Sequence, residues 1–197
     1  MENSKRSAII ERGTKETKIK LSLCADSDKP GLYGSSGIGF FDHMLNTFAF
    51  HGGFEIALEM NGDLGVDCHH SVEDVGIVLG SAFRKIIDQD KNITRFAHEY
   101  IPMDESLAMC SVDLGGRAYL VFNADFESFF VGAYDTQMTK EFFYALAFNM
   151  LATIHIKLLY GENDHHKTEA IFKSAAKAVK KALALAGSHI ASAKGII

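Results

Sequence analysis

"DCHHSVEDV" at residues 67–75 and "NDHHKTEAI" at residues 163–171 each contain two adjacent histidines followed three residues later by a glutamate. Each cluster begins a segment with an apolar stripe at helical spacing, formed in the first segment by Val72, Val75, Val78, Leu79 and Phe83. An uncommon cluster that recurs at the start of two such helices indicates an internal duplication.

The duplication extends to residues that precede the clusters. A shift of 98 residues places His43 on Glu141 and Ile56 on Ile154. Removing two residues from the intervening loop then places His69, His70 and Glu73 on His165, His166 and Glu169. The chain is therefore predicted to consist of two related halves.

Hydrophobic periodicity predicts the order β-β-α-β-α in each half. The first half contains "SAIIER", "TKIKLSLCA", "FFDHMLNTFAFHGG", "FEIALEM" and the helix that starts at the histidine pair. The intervening segment "DSDKPGLYGSSG" is predicted to be a loop. The second half contains a hairpin across "SLAMCSVDLGGRAYLVFNADF" that turns at Gly115-Gly116, then "TKEFFYALAFNML", "ATIHIKLLY" and "HHKTEAIFKSAAKAVKKALALA".

These elements predict an α+β fold of two layers, with antiparallel or mixed sheets that carry both helices on one face. Residues 1–197 are expected to form a single duplicated unit, with half-repeats 1–92 and 93–197. Two separated domains would need a linker, and residues 88–97 show only a short polar turn.

Composition limits the possible functions. Hydrophobic residues make up 47% of the chain, the net charge is −5, and lysines and arginines are scattered, which argues against a nucleic-acid partner. The sequence shows no apolar stretch of the length that a signal peptide or a membrane-spanning helix needs. Cys24, Cys68 and Cys110 form no CxxC motif and are predicted to be free thiols. We expect a cytoplasmic protein with a small-molecule partner.

Adjacent helical residues point about 100° apart, so each histidine pair is expected to serve two different metal positions. Mixed imidazole and carboxylate ligands without thiolate suit Mn, Fe, Co, Ni or Zn, and the carboxylates favour Mn(II). His43 and Glu141, at matching places on the preceding helices, are further candidate ligands. A single cluster could equally be surface histidines at a helix start, but two matched copies favour metal binding.

A set of ordered motifs resembles the imidazoleglycerol-phosphate dehydratase family from about residue 5 to the C-terminus: "SSGIGFFDHML", "DCHHSVEDVGI", "PMDESLA", "VDLGGRAYL", "YDTQ", "LLYGENDHHKTEAIFKS" and "SAKGII". The resemblance implies a manganese-dependent lyase of histidine biosynthesis that removes water from imidazole glycerol phosphate. It also implies a duplicated half-fold like that of a ribosomal-protein domain and the GHMP kinases. The expected assembly is a shell of 24 subunits, with active sites between subunits.

The same resemblance implies two Mn(II) ions per active site. One ion is expected to be held by His43, His70, His165 and Glu169, and the other by His69, Glu73, His166 and Glu141. Better-known family members carry histidine at the last position, so Glu141 is a departure. Cys68, Gly39 and Thr47 depart from the family pattern as well, where Asp, Pro and Gln are expected.

The reaction removes a weakly acidic proton from a carbinol carbon, so the imidazole ring must act as the electron sink. The resemblance implies Glu16 as the base and places His43, His69, Glu73, His165 and Glu169 at the reacting centre. His51, His69 or a metal-bound water could protonate the leaving hydroxyl. The phosphate is expected to contact Arg95, Arg117, Ser192 and Lys194, and His70 is expected to contact substrate as well.

Other groups carry weaker signals. Asp104 and Glu105 are at least as well explained as loop carboxylates, and His98, His155 and His189 are predicted to be structural. Three other functions remain open at this point: a metal-templated shell protein, a dinuclear hydrolase and a GHMP-type kinase. A purely structural metal needs no base or phosphate clamp, hydrolases favour Asp-rich motifs, and a kinase needs a Gly-rich phosphate loop.

Overall fold

The computed structural model describes residues 5–186 and Ser192. The first half contains β1 (Ser7–Gly13), β2 (Thr17–Cys24), β3 (Gly31–Gly34), α1 (Gly39–Gly52), β4 (Glu55–Gly62) and α2 (His69–Gln89). The second half contains β5 (Phe96–Met103), β6 (Ser106–Asp113), β7 (Tyr119–Asn123), β8 (Phe130–Val131), β9 (Tyr134–Asp135), α3 (Met138–Met150), β10 (Thr153–Tyr160) and α4 (Asp164–Ala182).

Each half forms a four-stranded mixed sheet with the same topology. The strand order is β1-β2-β4-β3 in the first sheet and β5-β6-β10-β7 in the second. In both sheets the last strand of the order runs parallel to its neighbour, and the other pairs are antiparallel. The identical order confirms the predicted α+β fold with duplicated halves.

Three strands of the two large sheets differ from the sequence prediction, and the short strands β8 and β9 have no predicted counterpart. β3 lies inside the segment predicted to be a loop, where Gly31 and Gly34 mask the pattern of a short edge strand. β5 has no predicted counterpart, because its large side chains Phe96 and Tyr100 are exposed rather than inward. The predicted hairpin between β6 and β7 is wrong: β6 pairs with β5, and β7 pairs with β10 in parallel. Before its first helix, each half therefore contributes three strands to its four-stranded sheet.

The helices of the two halves pack on each other between the sheets. α1 lies against α4, and α2 lies against α3. The inward residues of β2 and β6, among them Leu21, Leu23 and Cys110, belong to one hydrophobic cluster that includes residues of both halves. This packing brings side chains from α1 and α4 to one place, although they are far apart in sequence.

The cysteines are free thiols, as predicted. Cys68 and Cys110 are buried, and Cys24 is half-buried. Among the helices of the described residues, none is long and apolar enough to cross a membrane.

Candidate metal and substrate site

His43, His165 and Glu169 form a compact group of potential metal ligands. One ligand atom from each lies within 4.8 Å of the others. Glu169 Oε2 is 3.3 Å from His165 Nε2 and 3.8 Å from His43 Nε2. Within residues 5–186 and Ser192, no other group of three His, Cys, Asp or Glu side chains meets this criterion.

Local structure holds this group in place. The side chain of Asn163 caps α4 by accepting hydrogen bonds from the backbone N–H groups of His165 and His166. Phe40 lies beside both imidazoles, with ring centroids 5.0 Å from that of His165 and 6.4 Å from that of His43.

Glu169 is nearly buried and ionised in its folded environment. Burial opposes its charge, but a 2.6 Å contact from Lys173 Nζ to Oε1 favours it. His43 and His165 add to that effect, and the pKa of Glu169 is held below its usual value. Because Lys173 takes one carboxylate oxygen, the other faces the two imidazoles.

The first histidine pair has similar but separate surroundings. His69 Nε2 is 3.5 Å from Glu73 Oε2, which repeats the relation between His165 and Glu169. His70 Nδ1 lies 2.9 Å from Asp63 Oδ2, and His70 Nε2 lies 3.8 Å from Glu16 Oε1. The hydrogen bond to Asp63, with a smaller contribution from Glu16, raises the pKa of His70.

His166 contacts the turn between β5 and β6. Its Nδ1 is 2.7 Å from Glu105 Oε2, and its Nε2 is 3.7 Å from Asp104 Oδ2. Glu105 Oε1 also accepts the backbone N–H groups of Asn163 and Glu162 at 2.8 and 3.2 Å. These bonds, with that of Asn163 the strongest, hold the pKa of Glu105 well below its usual range.

Adjacent histidines face different partners, as the helix geometry predicts. The ring centroids are 6.2 Å apart in the first pair and 6.0 Å apart in the second, and the ring planes are inclined by 63° and 80°. Of the four ligands expected for the first ion, three meet within this chain. The fourth, His70, lies with Asp63 and Glu16 instead.

The four residues expected at the phosphate all belong to the second half of the sequence. Arg95 has a left-handed backbone (φ 71°), and its guanidinium donates to both carboxylate oxygens of Asp113 at 2.7 and 3.2 Å. It also lies 4.5 Å above the ring of Phe96. Arg117 is exposed, and Ser192 is half-exposed. Lys194 and His189 lie outside the described residues.

Comparison with known proteins identifies the family. The model of the imidazoleglycerol-phosphate dehydratase family matches residues 36–179. The chain belongs to the imidazoleglycerol-phosphate dehydratase family. It is an enzyme of the hydro-lyase class, as the resemblance predicted.

Individual relatives match along most of their length. The imidazoleglycerol-phosphate dehydratase of Streptococcus mutans is 49% identical over 180 residues, which cover 91% of this chain and 92% of the relative. That of Caldicellulosiruptor bescii is 49% identical over 193 residues, 98% of each chain. The solved structure from Staphylococcus aureus has a TM-score of 0.82 at 38% identity and covers 91% of this chain and 99% of its own. The structure from Pyrococcus furiosus, in complex with (S)-C348, has a TM-score of 0.82 at 34% identity and covers 95% and 100%.

Two other residues expected at the site, Glu141 and His51, are not members of the compact group formed by His43, His165 and Glu169. Glu141 lies in the first turn of α3 and is half-exposed. Within residues 5–186, its carboxylate makes no hydrogen bond or ion pair. His51 lies in the last turn of α1 and is half-buried; burial, followed by Lys173 and Lys177, lowers its pKa, while Glu169 opposes that shift.

Of three further residues near the site, Asp63 and Lys173 were not predicted from sequence, and Glu105 was explained at least as well as a loop carboxylate. Asp63, Glu105 and Lys173 bond directly to His70, His166 and Glu169. Glu105 immediately precedes β6, as Glu16 immediately precedes β2. The internal duplication therefore relates Glu105 to the expected base and could have indicated that it lies near the site. His155, predicted to be a packing histidine, is exposed because the neighbouring Ile154 and Ile156 point inward.

Proposed function

We propose that this enzyme dehydrates D-erythro-imidazole glycerol phosphate to imidazole acetol phosphate, with two Mn(II) ions in each active site. The observation that carries the proposal is the convergence of His43, His165 and Glu169 from two halves of the chain. Histidines that were only surface residues would not be expected to converge on a nearly buried carboxylate.

The donor set fits the proposed metal. His43, His165 and Glu169 offer two imidazoles and a carboxylate, and His69, Glu73 and Glu141 offer a second mixed set. Such nitrogen and oxygen donors without thiolate suit Mn(II), which when bound would polarise the imidazole ring of the substrate. His70 and His166 supply the remaining ligands from another subunit of a 24-chain homo-oligomer, because each faces away from the group in its own chain.

Glu16 takes the proton from carbon in this proposal. It lies in the turn between β1 and β2, where the hydroxyl of Thr14 accepts the backbone N–H groups of Glu16 and Thr17. Its side chain is half-exposed and ends 3.8 Å from His70 Nε2. A carboxylate on a braced turn beside a candidate ligand is well placed to reach a bound substrate.

The proposed reaction balances with this single base. The proton on the second side-chain carbon passes to Glu16, and the hydroxyl on the carbon next to the ring leaves as water with a proton from an acid at the site. Glu16 later returns the proton that it took, so the protons balance. The resulting enol becomes the ketone of the product. The imidazole ring donates electron density as the C–O bond breaks and accepts it as the C–H bond breaks. Arg95, which Asp113 orients, binds the phosphate together with Arg117, Ser192 and Lys194.

Substitution of the base tests this proposal directly. Glu16→Gln keeps the shape of the turn but removes the proton acceptor. We expect Mn(II) content and particle size to be unchanged and turnover to fall by more than about 100-fold, the scale of general-base catalysis. Lys15→Gln, an exposed change in the same turn, is the matched control. Turnover of Glu16→Gln above a tenth of the wild-type value would remove Glu16 as the base.

A further inference from the structure

The second histidine of each pair is held in the same way in both halves. Asp63 Oδ2 lies 2.9 Å from Nδ1 of His70, and Glu105 Oε2 lies 2.7 Å from Nδ1 of His166. The first histidines differ, because His69 and His165 turn Nε2 toward a glutamate one helical turn later. The bond through Nδ1 is therefore specific to the second position.

This bond determines which nitrogen of the ring is available. An ionised carboxylate only accepts hydrogen bonds, so Nδ1 of His70 and of His166 must carry a proton. In the neutral imidazole the lone pair is then on Nε2. A metal-binding histidine commonly donates its other N–H to a carboxylate, which fixes its tautomer and ring orientation.

The two carboxylates come from different elements. Asp63 follows β4 in a connection of residues 63–68, whereas the equivalent connection of residues 161–163 is shorter. In the shorter connection, backbone N–H groups of Glu162 and Asn163 bind Oε1 of Glu105 and fix its side chain beside His166. The carboxylate that bonds to Nδ1 of the second histidine therefore comes from the turn before β6 in the second half and from the connection after β4 in the first.

Glu16 is the counterpart of Glu105, but it does not bond to Nδ1 of a histidine. Each residue directly precedes the second strand of its sheet. The side chain of Glu105 is 34% exposed and bonds to Nδ1, whereas that of Glu16 is 52% exposed and faces Nε2 of His70 from 3.8 Å. Asp63 already holds Nδ1 of His70, so the carboxylate of Glu16 points to the edge of the ring where a ligand would bind.

We propose that Asp63 and Glu105 are positioning residues that hold His70 and His166 as Nδ1–H tautomers with Nε2 free for the metal. The use of Asp63 in the first half leaves Glu16, the counterpart of Glu105, free to contact the substrate. This inference rests on the proposed metal role of the two histidines.

The tautomer of each ring can be measured without metal. Solid-state nuclear magnetic resonance of protein labelled with ¹⁵N-histidine separates protonated from unprotonated ring nitrogens in a particle of any size. Spectra are recorded on metal-free protein at alkaline pH, where the imidazoles are neutral, and His70→Gln and His166→Gln assign the signals. We expect the wild type to show the Nδ1–H form for both residues.

The variants separate positioning from simple loss of structure. Glu105→Ala should release His166 to a mixture of tautomers, and Asp63→Ala should do the same for His70. Each should weaken Mn(II) binding, measured by electron paramagnetic resonance titration, by about 10- to 100-fold. Glu105→Gln has a single oxygen, which the backbone N–H groups of Glu162 and Asn163 bind, so its NH2 group faces Nδ1 of His166 and should shift that ring to the Nε2–H form. Glu162→Gln, whose residue contributes only its backbone N–H, is the control.

An unchanged tautomer in both alanine variants overturns the inference, and so does a changed tautomer with unchanged Mn(II) affinity. If Glu105→Ala does not fold, Asp63→Ala carries the same test in the other half. A wild-type protein that binds no Mn(II) would contradict the proposed function instead, and the tautomer spectra would still decide whether the two carboxylates hold the rings.

Discussion

At the scale of single residues, Glu169 shows how neighbouring charges orient a candidate metal ligand. Lys173 Nζ contacts one oxygen of Glu169 at 2.6 Å, and the second oxygen lies between His43 and His165. The ammonium compensates the burial of the carboxylate and fixes its orientation. A lysine four residues after a glutamate is common on helices, so the pattern alone does not reveal this use.

Glu141 offers a direct test of one ligand. If it binds the second ion, Glu141→Gln removes a charged donor and weakens one Mn(II) site by more than about tenfold. Glu141→His should keep the affinity within a few-fold, because imidazole also suits Mn(II). Metal titration of both variants measures this effect. Equal affinity in the wild type and in Glu141→Gln would show that the carboxylate is not a ligand.

An ion pair near the chain ends gives a pH-dependent contribution to stability. Arg6 donates to both oxygens of Asp26 at 2.8 Å and to the carbonyl of Leu183. The hydrogen bond from Arg6 lowers the pKa of Asp26 in the folded protein, although partial burial opposes that shift. The stabilisation is therefore fully present above the unfolded carboxyl pKa of about 4 and is lost as pH falls through the lower folded value.

Asp26→Asn should accordingly reduce the free energy of unfolding at neutral pH, but by less than about 1 kcal/mol, since Asp26 is partly exposed and screened. Denaturant unfolding of wild type and variant should give a difference that shrinks on acidification below about pH 4. A difference that stays constant across this range would mean that the ion pair is not its cause.

At the scale of elements, two glycines allow α2 to approach α3 closely. A Cβ at Gly76 would lie 2.7 Å from the carbonyl oxygen of Phe142, and one at Gly80 would lie 2.6 Å from that of Leu146. These are backbone contacts, so the helices would have to move apart. The close approach joins the halves and fixes where α2, with its histidine pair, begins relative to Glu141.

Gly80→Ala should therefore destabilise the protein by about 1–3 kcal/mol, the usual cost of overpacking. Gly39→Ala, at the start of α1 with no atom within 4 Å of the added Cβ, is the matched control and should change stability little. Thermal or denaturant unfolding of both variants measures the difference. Equal stability of the two would show that α2 and α3 can separate without cost.

At the scale of the whole molecule, the two halves complete each other only in part. α1 of the first half and α4 of the second bring three candidate ligands together, but His70 and His166 face other surroundings in their own chain. Proposed sites of this kind need another subunit, and metal binding would then stabilise the assembly.

Removal of metal should accordingly change the assembly. We expect a chelator to abolish activity and reduce the large particle to smaller species, and added Mn(II) to restore both. Gel filtration with light scattering measures the particle mass before and after treatment. A particle of unchanged mass in the metal-free protein would mean that the ions do not link subunits.

The sequence determined the duplication, the four long helices and the histidine clusters, because apolar spacing and repeated motifs are local features. It did not determine β3 or β5, whose short or outward-facing side chains leave no inward apolar stripe, or the parallel pairing of β7 with β10. Only the tertiary structure decided that Asp63 and Glu105, from different loops, bond to Nδ1 of the second histidine of each pair. Bonds between residues distant along the chain depend on how the two halves pack, which no local pattern records.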